Sequence, residues 1–225
     1  MKSEKISELT TNRLSVYLRC LKDLADGGHE TVSSEALAKA YNLNSAQIRK
    51  DLANFGEFGV RGVGYCIKSL RENLTDILGL NSRRRVCIIG AGRLGAALAN
   101  YYISSGKNFE VVALFDVDQQ KIGKKISDVE VFDVKDFAAV AKRAKIEVAV
   151  LAVPAESAQS IADVVMGAGI KAVMNFAPVP LKVCEDVKLK TVDLTTSLDS
   201  LSYYLAGADR SNGKHMKPNG GGGRI

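Results

Sequence analysis

The sequence is poorest in the residues that hold metals and crosslink chains. It has 2 histidines, His29 and His215, and 4 cysteines, Cys20, Cys66, Cys87 and Cys184, with no C-x-x-C pair among them. A structural zinc site needs four such ligands at close spacing, so no metal is expected. The scattered cysteines predict reduced thiols in a cytoplasm rather than a disulfide framework. Histidine is absent altogether from residues 86–210. That removes the commonest proton donor and acceptor from the larger part of the chain. No apolar run has the length to span a bilayer, and Met1-Lys2-Ser3-Glu4-Lys5 opens no signal-peptide core, so no membrane partner is expected. What remains is ordinary for globular protein: 46% hydrophobic and 25% charged over 225 residues, enough for one large or two small domains with cores.

The net charge of +6 is unevenly spread. Residues 1–85 hold 14 Lys/Arg against 10 Asp/Glu, and the tail from Ser211 adds Lys214, Lys217 and Arg224, which leaves residues 86–210 at −1. A basic N-terminal module beside a neutral larger one suits a module that meets a polyanion.

Periodicity organises that first module. Leu14, Tyr17, Leu18, Leu21 and Leu24 recur at three- and four-residue steps and predict a helix over 12–25, ended by Gly27-Gly28. Thr31-Val32 is a short extended piece, and Ser33 or Ser34 caps a second helix. Asn42-Leu43-Asn44 is a turn, and Ser45 opens a third helix over 46–55, with Ile48, Leu52 and Phe55 on its inner side. Two short helices joined by three residues have the shape of a helix-turn-helix. Ser45, Ala46, Gln47, Arg49 and Lys50 are left on the other side, where Arg and Lys reach guanine or phosphate and Gln pairs with adenine. A solvated charged face is the alternative. The stretch 56–65 favours the first reading. Its four glycines among alternating aromatics and valines predict a β-hairpin, a wing carrying Arg61, Gly62, Gly64 and Tyr65, with Arg61 near its tip and suited to a narrow minor groove. A fourth helix is expected over 69–78.

The second module is built around Val86-Cys87-Ile88-Ile89-Gly90-Ala91-Gly92-Arg93-Leu94-Gly95. An apolar run feeds a G-x-G-x-x-G loop, followed by the helix-forming Ala96, Ala97, Leu98 and Ala99. The first glycine permits a tight turn, the second lets backbone approach a pyrophosphate, and the third lets helix pack on strand. The phosphates would sit at the helix N-terminus. The next apolar run ends in Asp116, 21 residues past Gly95. A carboxylate there takes the ribose hydroxyls of NAD(H) and repels the 2′-phosphate of NADP(H). The alternative is a glycine-rich turn with Asp116 as a surface acid. Strands are expected at 86–90, 110–116, 129–132, 148–153 and 171–175 with helices between them, the clearest being 155–167, which is the pattern of a parallel doubly wound sheet. Val153-Pro154-Ala155 and Asn175-Phe176-Ala177-Pro178 fall at its carboxyl edge and are candidates for the nicotinamide end of a cleft, with ordinary turn chemistry as the alternative for each. A short strand at 191–194 is followed by a last helix begun by Thr195, Thr196 or Ser197. Its Leu198, Leu201, Tyr204 and Leu205 need cover, for which a partner subunit is the candidate. Residues 211–225 read as disordered.

The domain plan is thus a winged helix over 1–81, a Rossmann-type parallel sheet over 82–193, a C-terminal helix over 194–210, and a tail. The motifs occur in a fixed order: Ser45-Ala46-Gln47-Ile48-Arg49-Lys50-Asp51-Leu52, Phe55-Gly56-Glu57-Phe58-Gly59, Arg61-Gly62-Val63-Gly64-Tyr65, Gly90 to Gly95, Phe115-Asp116-Val117-Asp118, Val153-Pro154-Ala155, Asn175 to Pro178 and Val192-Asp193-Leu194. In that order the chain resembles the family of redox-sensing transcriptional repressors called Rex over roughly residues 8–206. The resemblance implies a homodimer on double-stranded operator DNA that represses transcription and is released by NADH, with NAD+ competing without releasing it. Both are ligands, not substrates. It implies a C-terminal helix exchanged between subunits, Tyr101 near the nicotinamide end, and Arg19 and Asp193 in a state-dependent subunit contact. An apolar surround of Pro154, Phe176 and Pro178 would disfavour the cationic nicotinamide of NAD+ by desolvation. Two other readings stand beside this one. An NAD-dependent dehydrogenase would need a proton donor, for which only Tyr101 offers itself. The other is a DNA-binding protein whose sheet domain senses another nucleotide or is purely structural.

Overall fold

The turn between the second and third helices shows how local chemistry sets the first module. Asn42 takes a left-handed conformation (φ 51°) that ends one helix, and two residues later the Asn44 side chain accepts from the Gln47 N–H at 3.0 Å to start the next. Asparagine tolerates the left-handed region and caps helices well, so one short turn fixes both ends. The computed structural model describes residues 6–60, 62–105 and 108–212. They fall into two units, Met1–Arg83 and Arg84–Ile225, so the expected boundary after residue 81 lies two residues early.

In the first unit the order is α1 (Glu8–Asp26), β1 (Thr31–Val32), α2 (Ser34–Tyr41), α3 (Ser45–Ala53), β2 (Gly59–Val60), β3 (Gly64–Cys66) and α4 (Ile67–Ile77). Ser7 caps α1, so the helix begins at Glu8, four residues before the expected start at 12, because the apolar spacing starts only where the helix meets the core. Ser33, not Ser34, caps α2. The third helix stops at Ala53 rather than Phe55, and the fourth begins at Ile67 rather than Ser69. Leu14, Tyr17 and Leu21 of α1, Leu37 of α2, Ile48 and Leu52 of α3, and Ile67, Leu70 and Leu74 of α4 make one core. The strands form an antiparallel sheet, β1-β3-β2, pairing Val32 with Tyr65 and Gly59 with Tyr65. The wing is therefore present. Arg61, expected near its tip, lies outside the described residues.

The second unit runs β4 (Arg84–Ile89), α5 (Arg93–Ser105), β5 (Phe109–Asp116), β6 (Lys125–Ile126), β7 (Val129–Asp133), α6 (Phe137–Arg143), β8 (Val148–Leu151), α7 (Ala155–Gly167), β9 (Ala172–Asn175), β10 (Lys188–Thr191) and α8 (Leu194–Asn212). The sheet order is β10-β9-β8-β4-β5-β7-β6, parallel except for the antiparallel edge strand β6. The first strand of the unit is central, and the chain winds outward from it in both directions. The crevice of such a sheet opens at the switch point, between β4 and β8. Alternation along β4 buries Val86 and Ile88 on one face and Cys87 and Ile89 on the other. The β4–β5 register slips between Val86 and Cys87, with Val112 as the extra residue. That bulge lets Val111 and Leu114 share one face while Ala113 and Phe115 share the other.

The second unit departs from the expected bounds at four points. The strand read over 148–153 ends at Leu151, because Val153-Pro154 turns into α7. The strand read over 191–194 lies instead at Lys188–Thr191, an edge strand whose alternating lysines disguised it. The last helix begins at Leu194, not at Thr195–Ser197, since Asp193 caps it by accepting from the N–H groups of Thr195 (2.8 Å) and Thr196 (3.3 Å). It continues to Asn212, two residues into the stretch read as disordered; residues 213–225 lie outside the described residues. Leu194, Leu198, Leu201, Tyr203, Tyr204 and Leu205 of α8 are all exposed.

Candidate dinucleotide cleft and nucleic-acid interface

In the second unit, the loop leaving β4 is shaped by what surrounds it. Gly90 has φ 99°, and an added Cβ would lie 2.3 Å from the Ala152 carbonyl oxygen. At Gly95 an added Cβ would lie 1.8 Å from the Gly90 carbonyl oxygen, so α5 packs back on the loop as only glycine allows. Around Gly92 an added Cβ meets nothing within 4 Å, which leaves open space at the start of α5. Arg93 and Leu94 are exposed beside that space, while Ala91 is buried. The free N–H groups of the first turn and the macrodipole favour an anion there.

Asp116 ends β5 and ties itself to this loop. Its Oδ2 accepts from the Ala91 N–H at 2.8 Å and from Lys121 Nζ at 3.0 Å, and its Oδ1 accepts from the Asp118 N–H at 2.9 Å. Burial pushes the carboxyl up. The bonds from Asp118, Lys121 and Ala91 outweigh it and leave the group below its usual range, hence ionised at neutral pH. Two oxygens with three bonds retain lone pairs for a diol. A cavity of about 380 Å³ lies beyond the ends of β5 and β7, lined by Val117, Asp133, Val134, Lys135 and Val164. The glycine cradle, the open approach at Gly92 and the ionised Asp116 fit a dinucleotide.

The loop after β9 is held from within. Asn175 is fully buried. Its amide donates to the carbonyls of Ala177 (3.0 Å) and Val179 (3.1 Å), and its oxygen accepts from the Ala177 N–H (2.9 Å). Those bonds make Asn175 the organiser of the loop that carries the half-buried Phe176 and the exposed Pro178. Val153 and the exposed Pro154, the N-cap of α7, stand at the end of the neighbouring β8. Tyr101 lies eight residues into α5, about 12 Å along its axis, exposed and edge-on to Tyr102. Cys87 lies in the central strand β4, where burial pushes its thiol up to about 12 and keeps it protonated.

In the first unit, α3 presents the expected residues: Ala46, Arg49 and Lys50 are exposed and Ser45 and Gln47 half-buried. Two acids behind them had no signal in the spacing of the sequence. Asp51, on the inner side of α3, is buried and accepts from Arg13 Nε (2.5 Å) and Nη2 (2.8 Å), the Tyr17 hydroxyl (2.9 Å) and Gln47 Nε2 (2.7 Å). This network fastens α3 to α1 and fixes one amide hydrogen of Gln47. Glu35 accepts from Arg49, as described below. Only the i, i+4 spacing of Gln47 to Asp51 and of Arg13 to Tyr17 was visible in advance; the partners lie 34 and 38 residues apart. In the wing, Gly62 (φ 83°) and Gly64 (φ 98°) make the turn, and the half-buried ring of Tyr65 covers Gly59. Arg19 is exposed on α1, in the first unit, and Asp193 caps α8, in the second. Among the described residues no group of three or more His, Cys, Asp or Glu can hold a metal ion, and no helix is long and apolar enough to cross a membrane.

Comparison with known proteins agrees with both halves. Residues 5–53 match a family model described as a putative DNA-binding protein N-terminus, and residues 81–179 match one described as a CoA binding domain. A protein of Desulforamulus reducens named redox-sensing transcriptional repressor Rex is 44% identical over 206 residues, covering 92% of this chain and 98% of the relative. Redox-sensing transcriptional repressor Rex 1 of Thermotoga maritima is 43% identical, covering 90% and 97%. Among solved structures, a Rex-family repressor called RSP in complex with β-NAD+ and operator DNA is 40% identical with a TM-score of 0.86, covering 94% of this chain and 99% of that one. RSP with β-NADH is 38% identical with a TM-score of 0.83, covering 93% and 99%.

Proposed function

The chain belongs to the Rex family of redox-sensing transcriptional repressors, and from that premise we propose that it binds operator DNA as a homodimer and lets go when NADH occupies the cleft of its second unit. The observation that carries this reading is the joining, in one chain, of a helix-turn-helix with a wing to a doubly wound sheet whose glycine loop is tied to an ionised acid. The relatives are repressors rather than enzymes, and the residues fit that role: Tyr101 lies about two turns along α5 from the glycine loop, and residues 86–210 contain no histidine to move a proton.

The residues divide the work. Gly90, Ala91, Gly92, Arg93, Leu94 and Gly95 hold the pyrophosphate, and Asp116 holds the adenine ribose. Lys121 keeps that carboxylate aimed at the loop. Val153, Pro154, Phe176 and Pro178 surround the nicotinamide with apolar surface, with Asn175 fixing the loop and Tyr101 nearby. NADH supplies a neutral nicotinamide and NAD+ a cationic one, and an apolar wall disfavours the cation by desolvation. On the DNA side, Ser45, Ala46, Gln47, Arg49 and Lys50 enter a major groove while Arg61, Gly62, Gly64 and Tyr65 of the wing follow the backbone and minor groove. Two such modules match a dyad only at a fixed spacing, about 34–36 Å for adjacent turns. A change in subunit angle therefore breaks the match, and Arg19 and Asp193 are the residues assigned to that change. We place the protein in the cytoplasm, where NADH and DNA meet.

The coupling is reciprocal. DNA that excludes the NADH-bound form must weaken NADH binding by the same factor that NADH weakens DNA binding, about 5- to 150-fold for a typical allosteric coupling. Calorimetric titration of NADH with and without a cognate duplex reads this directly. Equal NADH affinities in both would overturn the release mechanism.

The apolar side of α8 supports the exchanged helix. A stripe of four leucines and two tyrosines exposed to water is unusual for a single chain and usual for an interface. Leu201→Asp is expected to convert the dimer to monomer in analytical ultracentrifugation and to abolish binding to a two-half-site duplex. A dimer unchanged by Leu201→Asp would remove α8 from the interface.

A further inference from the structure

The assignment of Arg49 to DNA leaves one neighbour without a purpose. Glu35 lies in the first turn of α2 and is two-thirds exposed, a carboxylate beside the helix that meets a polyanion. By charge alone it should weaken binding to every duplex. Arg49 Nη1 donates to Glu35 Oε1 at 2.5 Å and to Ser34 Oγ at 2.8 Å, and Ser34 Oγ in turn donates to Glu35 Oε2 at 3.1 Å. The three groups close a triangle that joins α2 to α3. Arg49 Nε and Nη2 make no such bond among the described residues.

The surroundings make that triangle matter. Arg49 and Glu35 border a cavity of about 530 Å³ between α2, the end of α3 and the wing, lined also by Phe58, Val63 and Tyr65. Among the described residues, Ser34 and Glu35 are the hydrogen-bond partners that hold the guanidinium beside this open space. A free arginine would sweep it and find phosphates of any sequence. A guanidinium gripped at Nη1 keeps one orientation, with its remaining N–H groups arranged as a planar fork. That fork suits the O6 and N7 acceptors of guanine, a contact that discriminates between bases.

Building on the DNA-binding reading above, we propose that Glu35 is a specificity-determining residue: it positions Arg49 for guanine readout and penalises duplexes that offer only phosphates. An exposed ion pair contributes little to folding, so the pair's value lies in what it does to recognition. Ser34, nearly buried, fixes the carboxylate from behind.

The test uses the full chain. A randomised 30-base-pair duplex pool is selected with the wild-type protein, and the enriched duplex and a shuffled version of it serve as probes for Glu35→Ala and Glu35→Gln. In Glu35→Ala, affinity for the shuffled duplex should rise about threefold through loss of one like charge. The ratio of enriched to shuffled affinity should fall at least about tenfold, and a repeat selection should relax a guanine position. Glu35→Gln keeps an acceptor for Arg49 and should fall between. An unchanged ratio in both variants overturns the inference and leaves the DNA-binding reading intact. So does an equal loss of both affinities with a lowered melting temperature, which would make Glu35 a folding residue. A wild-type protein that enriches no duplex overturns the DNA-binding reading itself, and this inference with it.

Discussion

Gly92→Ala is expected to fold as the wild type does and to bind NADH about 100-fold more weakly. The two halves of that result come from different atoms. A Cβ at Gly92 meets nothing within 4 Å, and the backbone there is not left-handed, so the melting temperature should stay within about 2 °C. The same Cβ stands where a pyrophosphate must approach the backbone at the start of α5, and a 100-fold loss corresponds to about 2.8 kcal/mol. Gly95→Ala should behave in the opposite way. Its Cβ would overlap the Gly90 carbonyl oxygen at 1.8 Å, so the loop must shift and the second unit should melt early whether or not ligand is present. Thermal melts and calorimetric titration of both variants separate the cases. Wild-type NADH affinity in Gly92→Ala would place the phosphates elsewhere.

The second large effect is expected at Asp51. Asp51→Ala should destabilise the first unit by about 3 kcal/mol, the scale for removing one partner of a buried charged pair. It leaves the Arg13 guanidinium, one-third exposed, without its carboxylate, and the buried Tyr17 hydroxyl without its acceptor. DNA binding should be lost while NADH still titrates normally, because the dinucleotide residues all lie in the second unit. The same network predicts a pH dependence. Burial raises the Asp51 pKa, but bonds from Arg13, Gln47 and Tyr17 outweigh it and leave the carboxyl below its usual range. A lowered folded pKa gives stability that is complete above the unfolded carboxylate's range and is lost as pH falls through the folded value. The first unit should therefore weaken below about pH 4, where a free aspartate is already about half protonated. In Asp51→Ala that part of the acid slope should disappear. Chemical denaturation followed between pH 3 and pH 7, read on a probe in the first unit, would show it (both values bracket the range of an ordinary aspartate). An unaltered slope would assign the acid sensitivity to other carboxylates.

Much of this architecture could be read from the chain because its signals are local. The capping serine at 33 or 34, the turn at 42–44, the glycine-rich hairpin and the step from an apolar run into Gly90 each lie within about ten residues, although the cap of α3 is Asn44 rather than Ser45. Asp116 could be placed because strand, turn, helix and strand have a nearly fixed length. The residues that escaped notice depend on distant partners. Asp51 looks like a surface acid until Arg13 and Tyr17 arrive from α1. Asn175 looks like a cleft residue, yet its amide is spent on its own loop, and only the turn back toward β10 shows why. The strand Lys188–Thr191 has no apolar signature because an edge strand buries little, so alternation there does not show in hydrophobicity.

That edge has a consequence for how copies of the chain meet. A parallel sheet offers unpaired backbone groups along both flanks, an invitation to add strands without end. One flank closes on the two-residue reversal β6, too short to template a neighbour. The other flank is β10, whose Lys188 and Lys190 face outward and would bring like charges together in any edge-to-edge pairing. Both ends of the sheet thus discourage polymerisation, which leaves the exposed leucines of α8 as the face we propose for self-association. A contact that pairs the same helix face on two copies closes on a pair and stops.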